Sequence, residues 1–113
     1  MKYKPFAIER LQDILKIGFK MHEETDFQVV PLDIEQSANS ILNMVINNPR
    51  GFGMVAYTDD DIPVGILCGG ISNYVFSKGS VANDYAWYVL PEYRGSRAAI
   101  KMLKMFRSWA KDN

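Results

Sequence analysis

The chain is poor in the residues that build metal centres and covalent cross-links. It has one histidine and one cysteine in 113 residues, so a four-ligand zinc site has almost nothing to draw on. Cys68 lies in the apolar run "VGILCGG" with no second thiol to bridge to, and it reads as a small core residue of a reducing compartment. No run approaches the roughly 20 apolar residues that span a bilayer, and "MKYKPFAIERLQ" lacks the apolar centre of a secretory signal. The cytoplasm is the expected location, and no membrane is expected as a partner. Thirteen basic side chains balance thirteen acidic ones, leaving no field to gather a polyanion, so nucleic acid is not an expected ligand either. Asp59, Asp60 and Asp61 are the only acidic run, but no glutamate follows at the spacing of a calcium loop, and no metal is expected.

What the chain does have is an ordinary folding composition, 48% hydrophobic and 23% charged, which suits one domain over residues 1–113 with a single core. "KYKPFA" predicts a short edge strand, since Pro5 has no N–H for a central one. Ile8, Leu11, Leu15, Phe19 and His22 recur at helical spacing and predict a helix from Ala7 to Glu23. A polar stretch leads to Pro31, and Ile34, Ala38, Ile41, Leu42, Val45 and Ile46 predict a second helix that stops at Asn47. Then the period changes. "FGMVAY" and "VGILCGGISNYVF" read as two strands of a hairpin turning near Asp60, where Gly69 and Gly70 suggest either a bulge or a backbone that something approaches closely. "VANDYAWYVL" is a third strand, and Ala98, Ala99, Met102, Leu103, Phe106 and Trp109 mark the buried face of a last helix. The order β, α, α, β, β, β, α implies an α/β fold with a mainly antiparallel sheet flanked by helices.

The densest stretch is "WYVLPEYRGSRAA", from Trp87 to Ala99. Pro91 ends the strand by withdrawing a ladder donor, and Ser96 is a good cap for the helix that follows. The first N–H groups of that helix lack intrahelical acceptors and carry the positive end of its dipole. Gly95 offers a positive φ and a bare backbone, Ala98 and Ala99 leave the approach open, and Arg94 and Arg97 add charged donors. Such a corner suits a phosphate or pyrophosphate, although a solvated turn would have the same composition.

"YVLPEYRGSRAA", with this element order around it, resembles motif A of the GNAT acetyltransferase superfamily. That motif commonly reads V-x-P-x-Y-R-G-x-G-x-G/A, with Q/R-x-x-G-x-G/A as its central signature. Val89, Pro91, Glu92, Tyr93, Arg94 and Gly95 match the flanking pattern, and Arg94 and Ala99 match the first and last signature positions. The resemblance implies acetyl-coenzyme A as co-substrate, with its pyrophosphate on the amides of Arg94, Gly95, Ser96, Arg97, Ala98 and Ala99. It also implies a pantetheine arm along Trp87, Tyr88 and Val89. Two departures stand out. Arg97 occupies the central glycine of the signature, where its side chain either grips a phosphate or fills the site. The chain also stops where family members usually add a strand, a helix with a tyrosine acid and a closing hairpin. "RGSRAA" is similar to variants among GNAT-like proteins of tailed bacteriophages.

Acetyl transfer to an amine needs a base, an acid for the thiolate and donors for the carbonyl oxygen. Asp84, where the family often places a carboxylate, is the candidate base, and Tyr85 and Tyr88 are candidate donors; each also reads as an ordinary strand residue. His22, Glu23, Glu24, Asp26 and Phe27 lie where the family contacts its acceptor, and their carboxylates suit a cationic amine, though a solvated loop reads the same way. The function expected is an acetyl-coenzyme A-dependent N-acetyltransferase acting on a primary amine of a small molecule or protein. The alternative is a catalytically silent GNAT-like module that binds a partner protein. A sheet ending at the third hairpin strand leaves an open edge, which predicts a homodimer formed through that edge or the last helix.

Overall fold

The computed structural model describes residues 1–25 and 32–113. Four antiparallel strands form one sheet in the order β1-β2-β3-β4: β1 (Lys2–Pro5), β2 (Gly51–Tyr57), β3 (Pro63–Asn73) and β4 (Ser80–Val89). Between β1 and β2 come a 3-10 turn at Ile8–Arg10, α1 (Leu11–Glu24) and α2 (Ile34–Ile41). α2 runs on into a wider π turn, Leu42–Ile46, closed by Asn47 N–H on the Leu42 carbonyl at 2.8 Å. After β4 a 3-10 segment, Pro91–Ser96, leads into α3 (Ala98–Asp112). The α/β architecture and element order are those expected from the sequence.

β3 is the strand on which the layers meet. Its residues from Pro63 to Ile71 are all buried, because α1 and α2 cover one face of the sheet and α3 the other. An apolar run without polar alternation is what burial on both faces demands. Ile66 and Cys68 join Phe6, Ile14, Ile17, Val45, Val55 and Tyr57 on the first face. Leu67 joins Phe52, Ala56, Val64, Val89, Ala98, Met102 and Phe106 on the second. There the rings of Phe52, Phe106 and Trp109 gather with centroids 5.4 to 6.0 Å apart. Burial pushes the Cys68 thiol up to about 12, so it stays protonated and behaves as the core residue it was expected to be.

Several local expectations are corrected. α1 begins at Leu11 rather than Ala7, and its buried row is Ile14 and Ile17; Ile8 is exposed and His22 only half-buried. The helical period holds, but the buried seam runs one row away, with Leu11 and Leu15 flanking it. The bulge opposite Gly69 and Gly70 belongs to β4: Cys68 pairs Ala86 and Gly69 pairs Asp84, leaving Tyr85 as the extra residue. At the glycines themselves it is the second reading, close approach, that holds. A Cβ at Gly70 would collide with the Tyr85 hydroxyl, and one at Gly69 with the Asn83 carbonyl oxygen. β3 ends at Asn73, so Tyr74, Val75 and Phe76 form the hairpin turn, with the last two almost fully exposed.

The turn at Asp60 is closed from the far side. Asp59 takes the Met1 ammonium at 3.0 Å, and Asp61 takes Lys2 Nζ at 3.0 Å, which holds the Asp61 carboxyl below its usual range. Both pins lie at the outer edge, away from the α3 corner.

Gly69→Ala is expected to destabilise the fold by about 2–3 kcal/mol, because the methyl has only strand backbone and the Phe106 ring to displace. Urea denaturation checks this, and an unchanged midpoint would show that β4 shifts freely at the bulge.

Candidate active site

Three ends of structure converge beside the C-terminus of β4: the last turn of α1, the 3-10 corner at Pro91–Ser96 and the first turn of α3. The convergence follows from β3, since helices on opposite faces of one strand both end next to its neighbour.

At the corner, Arg97 takes φ 68° and ψ 5°, and no glycine in the described residues has a positive φ. This corrects the expectation for Gly95, and it gives a physical reading of the family's glycine at the Arg97 position. The chain enters α3 there through a left-handed residue, which costs an L-amino acid roughly 1–2 kcal/mol. Ser96 is not the N-cap either. Arg97 is, while the Ser96 hydroxyl donates to the Tyr93 carbonyl at 2.6 Å and receives Ala98 N–H at a long 3.4 Å. Ala98 is buried against Met102 and Phe106, whereas Gly95, Ser96, Arg97 and Ile100 face solvent. A Cβ built on Gly95 would have no atom within 4 Å. Arg97, Ile100, Lys101 and Lys104 line one groove along the start of α3. Their spacing of three and four residues places them on one helix face, a signal present in the sequence that extends the expected site to Lys101 and Lys104.

β4 presents two kinds of residue here. The Leu90 N–H binds the Val64 carbonyl at 2.8 Å. By the alternation of an antiparallel ladder, Tyr88 then turns its amide and carbonyl toward β3, while those of Trp87 and Val89 point to the open edge. The Trp87 indole N–H donates to the Ala99 carbonyl at 3.2 Å, which ties the strand to α3. The Val89 carbonyl accepts Arg94 Nε at 3.0 Å.

On the other face Arg94, Tyr88 and Glu24 form a closed cluster. The Arg94 terminal nitrogen donates to both Glu24 carboxylate oxygens, at 2.9 and 3.0 Å. The Tyr88 hydroxyl donates to the same carboxylate, and the guanidinium lies 5.4 Å from the Tyr88 ring centre. The Tyr88 and Arg94 donors together hold the Glu24 carboxyl below its ordinary range. Burial, and then Glu24, push the Tyr88 phenol up to about 12. A phenol there is a weaker acid than a thiol of about 8.5, which fits Tyr88 as a hydrogen-bond donor better than as a proton source. Beside the cluster is a cleft of about 650 Å³ lined by Lys20, Glu23, Glu24, Tyr88, Leu90, Pro91 and Glu92. Glu24 is separated from Tyr88 by 64 residues and from Arg94 by 70, and no periodicity announces such a contact.

The other candidates lie apart from this cluster. Asp84 is exposed and pairs with Gly69, on the face that carries α3. The Tyr85 hydroxyl lies over Gly70. Glu23 meets Lys20 at 3.9 Å. His22 lines a mainly apolar cavity of about 190 Å³ between α1, α2 and the sheet, with Ile14, Phe19, Ile41, Ile66 and Cys68. Asp26 and Phe27 lie outside the described residues. Among the described residues no helix is long and apolar enough to cross a membrane.

Residues 9–113 match the family model described as the acetyltransferase (GNAT) family, and the chain belongs to that family. No curated protein sequence matches it. Among solved structures, an aminoglycoside antibiotic 6'-N-acetyltransferase from Acinetobacter baumannii superposes with a TM-score of 0.82 at 24% identity, over 98% of this chain and 71% of that one. AAC(6')-Iy, in complex with the bisubstrate analogue CoA-S-monomethyl-acetylneamine, gives 0.74 at 14% identity over 98% and 71%. A GNAT family acetyltransferase from Staphylococcus aureus gives 0.71 at 10% identity over 98% and 78%. At these identities the likeness is one of fold.

Two outcomes are expected of this geometry. Arg97→Gly should raise stability in urea by about 1 kcal/mol by relieving the left-handed conformation, and a loss instead would show that the arginine side chain holds the corner. The second concerns pH. The folded pKa of Tyr88 lies above that of an unfolded tyrosine, about 10, so its stabilisation is complete below that pH and is lost as pH rises toward about 12. The urea midpoint of the wild type should fall more across this window than that of Tyr88→Phe; equal falls would show that the phenol contributes nothing.

Proposed function

We propose that the chain is an acetyl-coenzyme A-dependent N-acetyltransferase that modifies a primary amine of a small molecule or protein. The observation that carries this is the corner itself: an exposed helix start reached through a left-handed residue, with open space over Gly95 and Arg94, Arg97, Lys101 and Lys104 close by. These features fit a pyrophosphate chemically, through first-turn amides that lack intrahelical acceptors, a bare backbone and a local excess of positive charge. In this reading the phosphates rest on the amides from Arg94 to Ala99. The pantetheine arm lies along the open edge of β4, where Trp87 and Val89 direct their backbone groups outward and Tyr88 adds its side chain on the α1 face.

When bound, acetyl-coenzyme A supplies an activated acetyl group: the amine nitrogen forms a C–N bond, the C–S bond breaks, and the amine's surplus proton is passed on as the thiolate leaves. The chain's own part is to orient and to manage protons. The cleft with Glu23, Glu24, Glu92 and the Tyr88 phenol suits an acceptor that arrives as an ammonium ion. Held ionised by two donors, Glu24 is a poor base and a good anchor. Asp84, on the face that carries α3, does not face this cleft, so the amine's proton leaves to water there, with the Tyr88 phenol as a donor beside it. AAC(6')-Iy holds coenzyme A and acetylneamine joined in one analogue, and a fold shared with that protein supports the pairing of thioester and amine here.

Calorimetry with acetyl-coenzyme A tests the reading. Micromolar binding is expected, weakened about tenfold or more by Gly95→Val, whose side chain stands in the approach. The same variant should melt near the wild type, since nothing in the chain occupies that space. Absence of binding to the wild type would overturn the reading and favour the partner-binding module.

A further inference from the structure

The ion pair between Glu24 and Arg94, in which one guanidinium nitrogen reaches both carboxylate oxygens, joins two groups that the proposed function assigns to different ligands. Arg94 stands at the phosphate corner and Glu24 in the amine cleft, yet each is the other's principal partner. Both Glu24 oxygens accept from Arg94, one of them also from Tyr88, so the carboxylate is largely satisfied before any ammonium arrives. The Arg94 guanidinium is likewise neutralised on the side facing α1. Its Nε remains fixed to the Val89 carbonyl, so the head swings about that anchor rather than leaving the corner.

We propose that Glu24 couples the two sites by exchange of partners: phosphate at the corner draws the Arg94 head away from Glu24, and the freed carboxylate, still held by Tyr88, takes the ammonium of the acceptor. This rests on the proposed function and adds an order of events to it. Two acidic ligands compete for one guanidinium, and a phosphate with more negative charge and a fixed cradle displaces an exposed carboxylate. The ion pair is half-exposed on both sides, so it is weak enough to break on binding. By linkage, an acceptor on Glu24 must favour phosphate on Arg94 to the same degree that phosphate favours the acceptor. Tyr88 is the positioning residue, since its phenol keeps the carboxylate in place through the exchange.

The test is a double-mutant cycle read by calorimetry with acetyl-coenzyme A alone. Glu24→Gln, nearly the same shape without the charge, should bind about fivefold tighter than the wild type, the scale of an exposed pair. Arg94→Ala should bind more weakly, and Glu24→Gln should bring no gain in the Arg94→Ala background. Loss of a general repulsion would tighten binding equally in both backgrounds, and that result would overturn the exchange. So would a Glu24→Gln protein that binds no tighter than the wild type, because Glu24 would then be holding Arg94 ready for phosphate. If neither the wild type nor Glu24→Gln binds at all, it is the acetyl-coenzyme A reading that fails, and the exchange falls with it. Thermal melts of the four proteins verify folding, which neither exposed side chain is expected to disturb.

Discussion

Burial of β3 on both faces is the constraint from which the site follows. A strand covered by α1 on one side and α3 on the other brings the end of one helix and the beginning of the other to the same margin of the sheet. Neither helix contains a site alone. α1 contributes a carboxylate at its last position, α3 contributes a charged groove and a bare entry, and β4 passes between them with side chains alternating toward each. The Trp87 indole fastens the strand to α3, and the Tyr88 phenol fastens it to α1. One dipeptide therefore secures both sides of the corner, and its two tethers reach to opposite faces because successive strand residues must.

The sequence was legible where structure obeys a period. The element order, the antiparallel hairpins, the buried face of α3 and the burial of Cys68 all follow from apolar spacing and turn residues, and the structure agrees. The family too was legible, because "PEYRG" is a contiguous motif whose order carries the signal. Three features were not. Which row of α1 is buried depends on how that helix rolls against the sheet, and Leu15 and Ile14 are indistinguishable by residue type. Conformational cost points to Gly95 for the left-handed residue, yet it is Arg97 that follows the 3-10 segment and takes the positive φ. The contact between Glu24 and Arg94 joins residues 70 apart, and only the assembled sheet brings them together.

Arg97 gains a second significance from this. Where the family commonly has glycine, this chain tolerates the left-handed conformation with a side chain attached. That side chain points from a solvent-facing corner into a groove shared with Lys101 and Lys104. The left-handed backbone at Arg97 thus sets a third cation beside Lys101 and Lys104 in that groove.

The single unmatched residue at Tyr85 has an effect that reaches past its own position. An odd insertion in a strand reverses the phase of everything before it: Asn83 falls in step with Tyr88 across the interruption, and Asp84 with Trp87. Without it, the first half of β4 would turn its α3-side residues toward α1. A strand with such a phase change serves as two short strands in series, each free to vary its own lining, while the continuous ladder to β3 keeps the halves at a fixed distance. Diversity of lining on this frame thus requires no change to the core that supports it.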